Sequence, residues 1–158
     1  MDKVIKELNQ HLINTGFKSS IVSVQHLSNL QRDLENLLEK GILRRDFYDE
    51  IISNYDLHFN FEISSDFPAA KSIIITATFQ PKVSVKFQLY DKTCCVIIPP
   101  TYLHDTDKQA SNIVSLYLEK YCLKICAAKL PVKLLAVYSG LASYGRNNLT
   151  YIKGWGSF

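Results

Sequence analysis

Residues 72–79 read Ser-Ile-Ile-Ile-Thr-Ala-Thr-Phe, set between Ala70-Lys71 and Gln80-Pro81. The run is short, β-branched and apolar without alternation, which is the signature of a strand buried on both faces. Downstream the period changes. After Pro81, Val83, Val85, Phe87 and Leu89 alternate with Ser84, Lys86, Gln88 and Tyr90, and Asp91-Lys92 leads into a second apolar run ending at Ile98. That pattern predicts a β-hairpin with one wetter face. Asp105 or Thr106 can cap a helix whose Ala110, Ile113, Val114, Tyr117, Leu118 and Tyr121 share one side. Pro131 suits the first turn of a further helix, which Gly140 would end.

Upstream of the strand, Val4, Ile5, Leu8, Leu12 and Ile13 recur at helical spacing and Gly16 stands where a terminating glycine belongs, so residues 2–15 are expected to be helical. Ile21, Val22 and Val24 suit a short strand. Ser28 can cap a second helix running through Leu30, Leu34, Leu37 and Leu38 to Gly41. Phe47, Tyr48, Ile51 and Ile52 predict another short helix, and Ser64, Ser65, Asp66 and Pro68 a loop. The order of elements permits an α+β class, expected as a mixed, largely antiparallel sheet with helices packed on it, in a single domain covering residues 1–158.

The chain has 158 residues and 47% hydrophobic content, enough for one compact core without disulfides or structural metal. Eighteen lysines and arginines stand against 15 aspartates and glutamates, and the net charge of +3 is spread along the chain without a basic run. Such a balance does not by itself argue for nucleic acid. The longest apolar stretches, Ile73–Ile75 and Cys94–Pro100, are far shorter than the roughly 20 residues of a membrane helix. The N-terminus lacks the pattern of a secretory signal, so no membrane association and a cytoplasmic location are expected. Cys94, Cys95, Cys122 and Cys126 form no CxxC and read as reduced thiols.

Gly140, Gly145, Gly154 and Gly156, four of the six glycines, fall in the last 19 residues together with Tyr144, Arg146, Asn147, Asn148, Tyr151 and Trp155. Two readings stand side by side. Glycine permits close backbone approach and asparagine offers both donors and an acceptor, so the segment Ser139–Ile152 (SGLASYGRNNLTYI) suits a ligand rich in amides, with Arg146 meeting a phosphate or carboxylate. The plainer reading is a helix stop followed by a turn and a hairpin. The spacing matches neither a dinucleotide-binding GxGxxG nor a P-loop.

This segment, followed by GWGSF, resembles the glycine-rich segment of epoxyqueuosine reductases and their iron–sulfur relatives. In that family an N-terminal helix leads to a Gly-Phe and strand, like Gly16, Phe17 and Ile21–Val24, then to a helix and a buried strand like AKSIIITATFQP. Leu130–Phe158 matches most specifically, and the first 125 residues match by order of elements. The resemblance implies a cobalamin-binding domain, the N-terminal part of a longer oxidoreductase whose C-terminal ferredoxin-like domain holds two [4Fe-4S] clusters. It also implies Gly140, Tyr144, Gly145, Arg146, Asn147 and Asn148 around the cofactor. That ferredoxin-like domain or another iron–sulfur electron donor would be the partner, and tRNA contact is implied by the family without support from net charge.

The chain departs from the family in two places. The family's catalytic aspartate would stand on the strand before the helix at Pro131, where this chain reads Ile125, Cys126, Ala127, Ala128, Lys129. The hairpin from Val83 to Ile98 replaces a loop and a tyrosine–histidine region, echoed only by Tyr102, His104 and Asp105. The chain therefore resembles more closely an uncharacterised iron–sulfur branch. The alternative from another class is a non-catalytic domain that docks an iron–sulfur module or another protein through Trp155 and Phe158, with self-association through the same end.

Other side chains carry less. His11, His26, His58 and His104 are scattered, without HExxH or a carboxylate at ligand spacing. Cys122 and Cys126 would share a face if the preceding helix continued, whereas Cys94 and Cys95 would point to opposite faces of a strand. Tyr117, Tyr121 and Tyr138 read as core-edge packing. Asp46, Asp49 and Glu50 beside Arg44 and Arg45 read as a solvated helix start.

Overall fold

In the computed structural model of the protein, the described residues are 2–55, 60–79, 83–98, 106–146 and 149–157. They open with helix α1 (Asp2–Asn14), whose Leu8 and Leu12 are buried. Gly16 at φ +86° then turns the chain into strand β1 (Phe17–Ser23), which begins four residues before the first apolar residue of the sequence pattern. Helix α2 (Gln25–Glu39) follows at once. Its N-cap is Val24 with no side-chain cap, so Ser28 is not the cap. Ser28 lies inside the first turn and its Oγ donates to the Gln25 carbonyl at 2.8 Å. Burial decides the start: Leu27 must already be helical to reach the core.

Helix α3 (Arg45–Tyr55) leads through a loop to β2 (Ser72–Thr78). Val24 N–H donates to the Lys71 carbonyl and Thr78 Oγ1 to the Gly16 carbonyl, so β2 runs antiparallel to β1. Only Ile75 of β2 is buried, against the expectation of burial on both faces. A two-stranded ladder covers one edge of a strand and neither face completely.

The hairpin forms as expected from β3 (Val83–Leu89) and β4 (Lys92–Ile98), paired from Val83↔Ile98 to Leu89↔Lys92. Helix α4 (Thr106–Glu119) buries Val114 and Leu118, but it stops before Tyr121. Cys122 and Cys126 therefore share no helical face. Helix α5 (Val132–Tyr138) takes Pro131 as its N-cap and buries Leu135 and Ala136. Strands β5 (Ser143–Tyr144), β6 (Thr150–Ile152) and β7 (Gly156–Ser157) close the chain as an antiparallel meander.

The fold is thus α+β with antiparallel pairing, the strands among the described residues forming three small sheets. The residues group into two compact units, Met1–Ser19 with Thr76–Ile125 and Ser20–Ile75 with Cys126–Phe158. In the first, Leu8, Leu12, Phe17, Val114 and Leu118 form the buried cluster, where α1 packs on α4. Along that seam His11 stacks on Tyr117, and Tyr121 donates its hydroxyl proton to Glu7. In the second, the buried residues are Leu27, Ile75, Leu135, Ala136, Ala142, Thr150 and Ile152. No helix among the described residues is long and apolar enough to cross a membrane.

Candidate functional site

The glycine-rich segment is built outward from α5. Leu135, 1% exposed, anchors the helix, and Ser139 and Gly140 N–H groups close its last turn on the Leu135 and Val137 carbonyls. Gly140 has φ +76°, the left-handed conformation that terminates helices and that a side chain resists. Ala142 N–H then donates back to the Ala136 carbonyl at 2.9 Å, and Ser139 Oγ donates to the same carbonyl at 3.0 Å. The reversal delivers the chain to β5.

Ser143 pairs with Tyr151 and Tyr144 with Thr150, and Gly145 N–H donates to the Leu149 carbonyl at 2.9 Å to close the tip. A Cβ on Gly145 would stand 3.4 Å from that carbonyl oxygen and 3.7 Å from the Tyr151 ring, ordinary contact distances. Thr150 and Ile152 face inward and are buried; Tyr144, Arg146, Leu149 and Tyr151 are exposed. The second turn, with Trp155 N–H donating to the Ile152 carbonyl, passes through Gly154 at φ +83°. Helix stop, turn and hairpin are all present, as the plainer reading expected.

Of the six expected ligand residues, Tyr144, Gly145 and Arg146 come together at the hairpin tip, and Gly140 stands at the helix stop, where its conformation is already accounted for. Asn147 and Asn148 lie outside the described residues, as do Phe158, His58, Tyr102, His104 and Asp105. The positive excess proves not to be spread evenly along the chain. From residue 120 onward the sequence holds Lys120, Lys124, Lys129, Lys133, Arg146 and Lys153 and no aspartate or glutamate, and all six are exposed. The hairpin therefore sits in sequence surroundings that favour an anion. Counting charges by segment rather than by chain reveals this signal.

A cobalamin is the group the resemblance implies, and its peripheral amides and nucleotide phosphate require donors and acceptors at once. At the tip Arg146 supplies a fixed cation with several donors, and the Tyr144 hydroxyl gives or accepts one bond. Gly145 between them adds no side chain, and its N–H is spent on the Leu149 carbonyl. This donor set fits the phosphate edge of such a group.

No pattern in the sequence marks His26, whose Nδ1 is buried without a hydrogen-bond partner among the described residues while its ring tilts against Tyr138 at 4.8 Å. Beside it, Ser20 Oγ donates to the Ser139 carbonyl at 3.5 Å. Two open depressions in the same unit lie away from the hairpin tip. One, of about 470 Å³, is lined by Ile42, Leu43, Arg44, Asp46, Phe47 and Glu50. There the Arg44 guanidinium pairs with Asp46 and holds its carboxyl below the ordinary carboxylate range, a solvated helix start as expected. The other, of about 450 Å³, is lined by residues of the 60–65 loop, Glu62 and Ser64 among them, and by Ala127, Ala128 and Lys129. The four cysteines are free thiols, and among the described residues no group of three or more His, Cys, Asp and Glu is arranged to hold a metal ion.

No family model matches the chain, and neither do any curated protein or solved structure.

Proposed function

We propose that the chain is the cofactor-binding domain of an epoxyqueuosine reductase-like iron–sulfur oxidoreductase, and that the group it holds is cobalamin. The observation that carries this reading is the Tyr144-Gly145-Arg146 tip, a glycine hairpin with an exposed cation in a stretch without acids. Arg146 would hold the nucleotide phosphate, and Tyr144 with Asn147 and Asn148 would meet the corrin amides. Bound cobalamin supplies the redox chemistry, while the chain contributes position and electrostatics. Electrons would come from a ferredoxin-like domain or another iron–sulfur partner. A hairpin tip touches a large cofactor from one side, so weak binding by this chain alone is expected.

The test is a titration of cob(II)alamin followed by visible absorbance. Arg146→Ala should weaken binding about tenfold or more, the worth of a charged hydrogen bond, and Asn147→Ala with Asn148→Ala should remove it with the fold intact. Equal affinity in wild type and both variants would discard the site. A second reading, docking of an iron–sulfur module or another protein, is favoured by the exposed apolar rim of Leu149 (58%), Tyr144 and Tyr151 around the same tip. It predicts capture of the partner without corrinoid, unchanged in Arg146→Ala.

A further inference from the structure

Strand β4 reads Lys92-Thr-Cys-Cys-Val-Ile-Ile98, and after Lys92 it contains neither charge nor proline. One edge is bonded to β3, and among the described residues no strand pairs with the other. Open edges invite pairing with another chain and are commonly blocked by an inward charge or a proline. β3 carries an exposed charge, Lys86, at its centre; β4 has none after Lys92. Register shows that Cys94, Val96 and Ile98 share one face of β4 and Cys95 and Ile97 the other. A strand apolar on both faces belongs inside a sheet, yet Val96 is 47% and Ile97 63% exposed.

We infer that the free edge of β4 pairs antiparallel with β4 of a second copy of this chain, about a twofold axis at Cys95, giving a four-stranded sheet in the order β3-β4-β4-β3. The two-residue turn Tyr90-Asp91 makes Leu89↔Lys92 a hydrogen-bonded pair, and alternation along the ladder makes Lys86↔Cys95 a non-bonded one. The main-chain groups of Thr93, Cys95 and Ile97 therefore point to the open edge. Cys95 is the middle residue of the strand, so a twofold axis there uses its whole length and forms about six main-chain bonds. Each Lys92 then lies opposite an Ile98, and the two lysines stand about 20 Å apart. The same operation on β3 would set Lys86 against Lys86, which like charges oppose. Charge thus selects β4 over β3 and antiparallel over parallel pairing, and strand length selects the centred register. The contact is far smaller than the roughly 800 Å² per partner of a standard interface, so affinity rests on main-chain bonds and the dimer is weak.

The test uses the purified full chain in sedimentation equilibrium and in oxidation by diamide, which takes two electrons from two thiols as the disulfide forms. Facing residues in a bonded antiparallel pair have Cα atoms about 5.5 Å apart, within disulfide reach. Wild type should dimerise with concentration and cross-link through Cys95. Cys95→Ser should lose the cross-link although Cys94, Cys122 and Cys126 remain, and keep the dimer. Cys95→Pro, which removes the N–H aimed at the open edge and leaves the ladder to β3 complete, should raise the dissociation constant at least about tenfold with an unchanged circular dichroism spectrum. Lys86→Glu should leave it unchanged. A wild-type monomer throughout, a cross-link through any other cysteine, or a dimer that persists at full strength in Cys95→Pro would overturn the inference.

Discussion

Replacing Cys122 by glycine should stabilise the protein, although it removes a side chain. Helix α4 ends in a reversal in which Leu123 N–H donates to the Leu118 carbonyl at 3.2 Å and Cys122 N–H to the Glu119 carbonyl at 3.0 Å. The residue at the pivot, Cys122, has φ +54°. Glycine is the usual occupant there, because a Cβ in the left-handed region meets the following carbonyl at a cost of about 1–2 kcal/mol. The Cys122 thiol is exposed and free, so little packing is lost with it. Glycine's greater freedom in the unfolded chain returns about 0.5–1 kcal/mol of the gain. The net is a stabilisation of about 0.5–1 kcal/mol, or about 1–4 °C in Tm for a chain of this length. Urea unfolding followed by circular dichroism should show a raised midpoint at unchanged slope. Cys122→Ala, which keeps the Cβ, should show no such gain. Gly140→Ala is the inverse experiment: φ is +76° and nothing lies within 4 Å of the added Cβ, so its cost of about 1 kcal/mol is backbone strain alone. If Cys122→Gly is no more stable than Cys122→Ala, the strain argument fails.

Leu135→Ala should cost about 2–5 kcal/mol in thermal unfolding, because Leu135 is 1% exposed and α5 anchors the hairpin through Ala136; a loss below about 1 kcal/mol would mean that α5 is not part of the core. Tyr121 should titrate above the ordinary tyrosine range, because Glu7 accepts its hydroxyl proton and ionisation would break that bond beside a carboxylate. A raised pKa in the fold stabilises fully below the unfolded tyrosine value and is lost as pH rises through the folded value. Wild type should therefore lose more stability than Tyr121→Phe across that alkaline window, and ultraviolet titration of Tyr121→Phe should lack one high-titrating phenol. Equal alkaline losses would place the Glu7 contact outside the energetics of the fold.

The candidate hairpin was legible as a place but not as a surface. Glycine spacing and the Asn-Asn pair announced a turn after a helix, since those residues are chosen by local backbone geometry. Whether Tyr144 would face solvent or core was not, because inward burial of Thr150 and Ile152 is set by what packs beneath β6. His26 shows the same limit: one histidine in a helical first turn reveals nothing until Tyr138 is placed against it.

What the sequence determined by itself is local and periodic. α1, α2, the β3–β4 hairpin and the stop at Gly140 all follow from apolar spacing and from glycine's tolerance of positive φ. Tertiary structure alone decided where competing local signals were resolved. Ser28 could cap a helix, but burial of Leu27 pulled the start back to Gln25. Residues 72–78 carry the pattern of a doubly buried strand, yet among the described residues β2 pairs with β1 alone and only its Ile75 is fully buried. Apolar composition states how much surface a segment could bury, and only the neighbours that other segments bring decide how much of it leaves water.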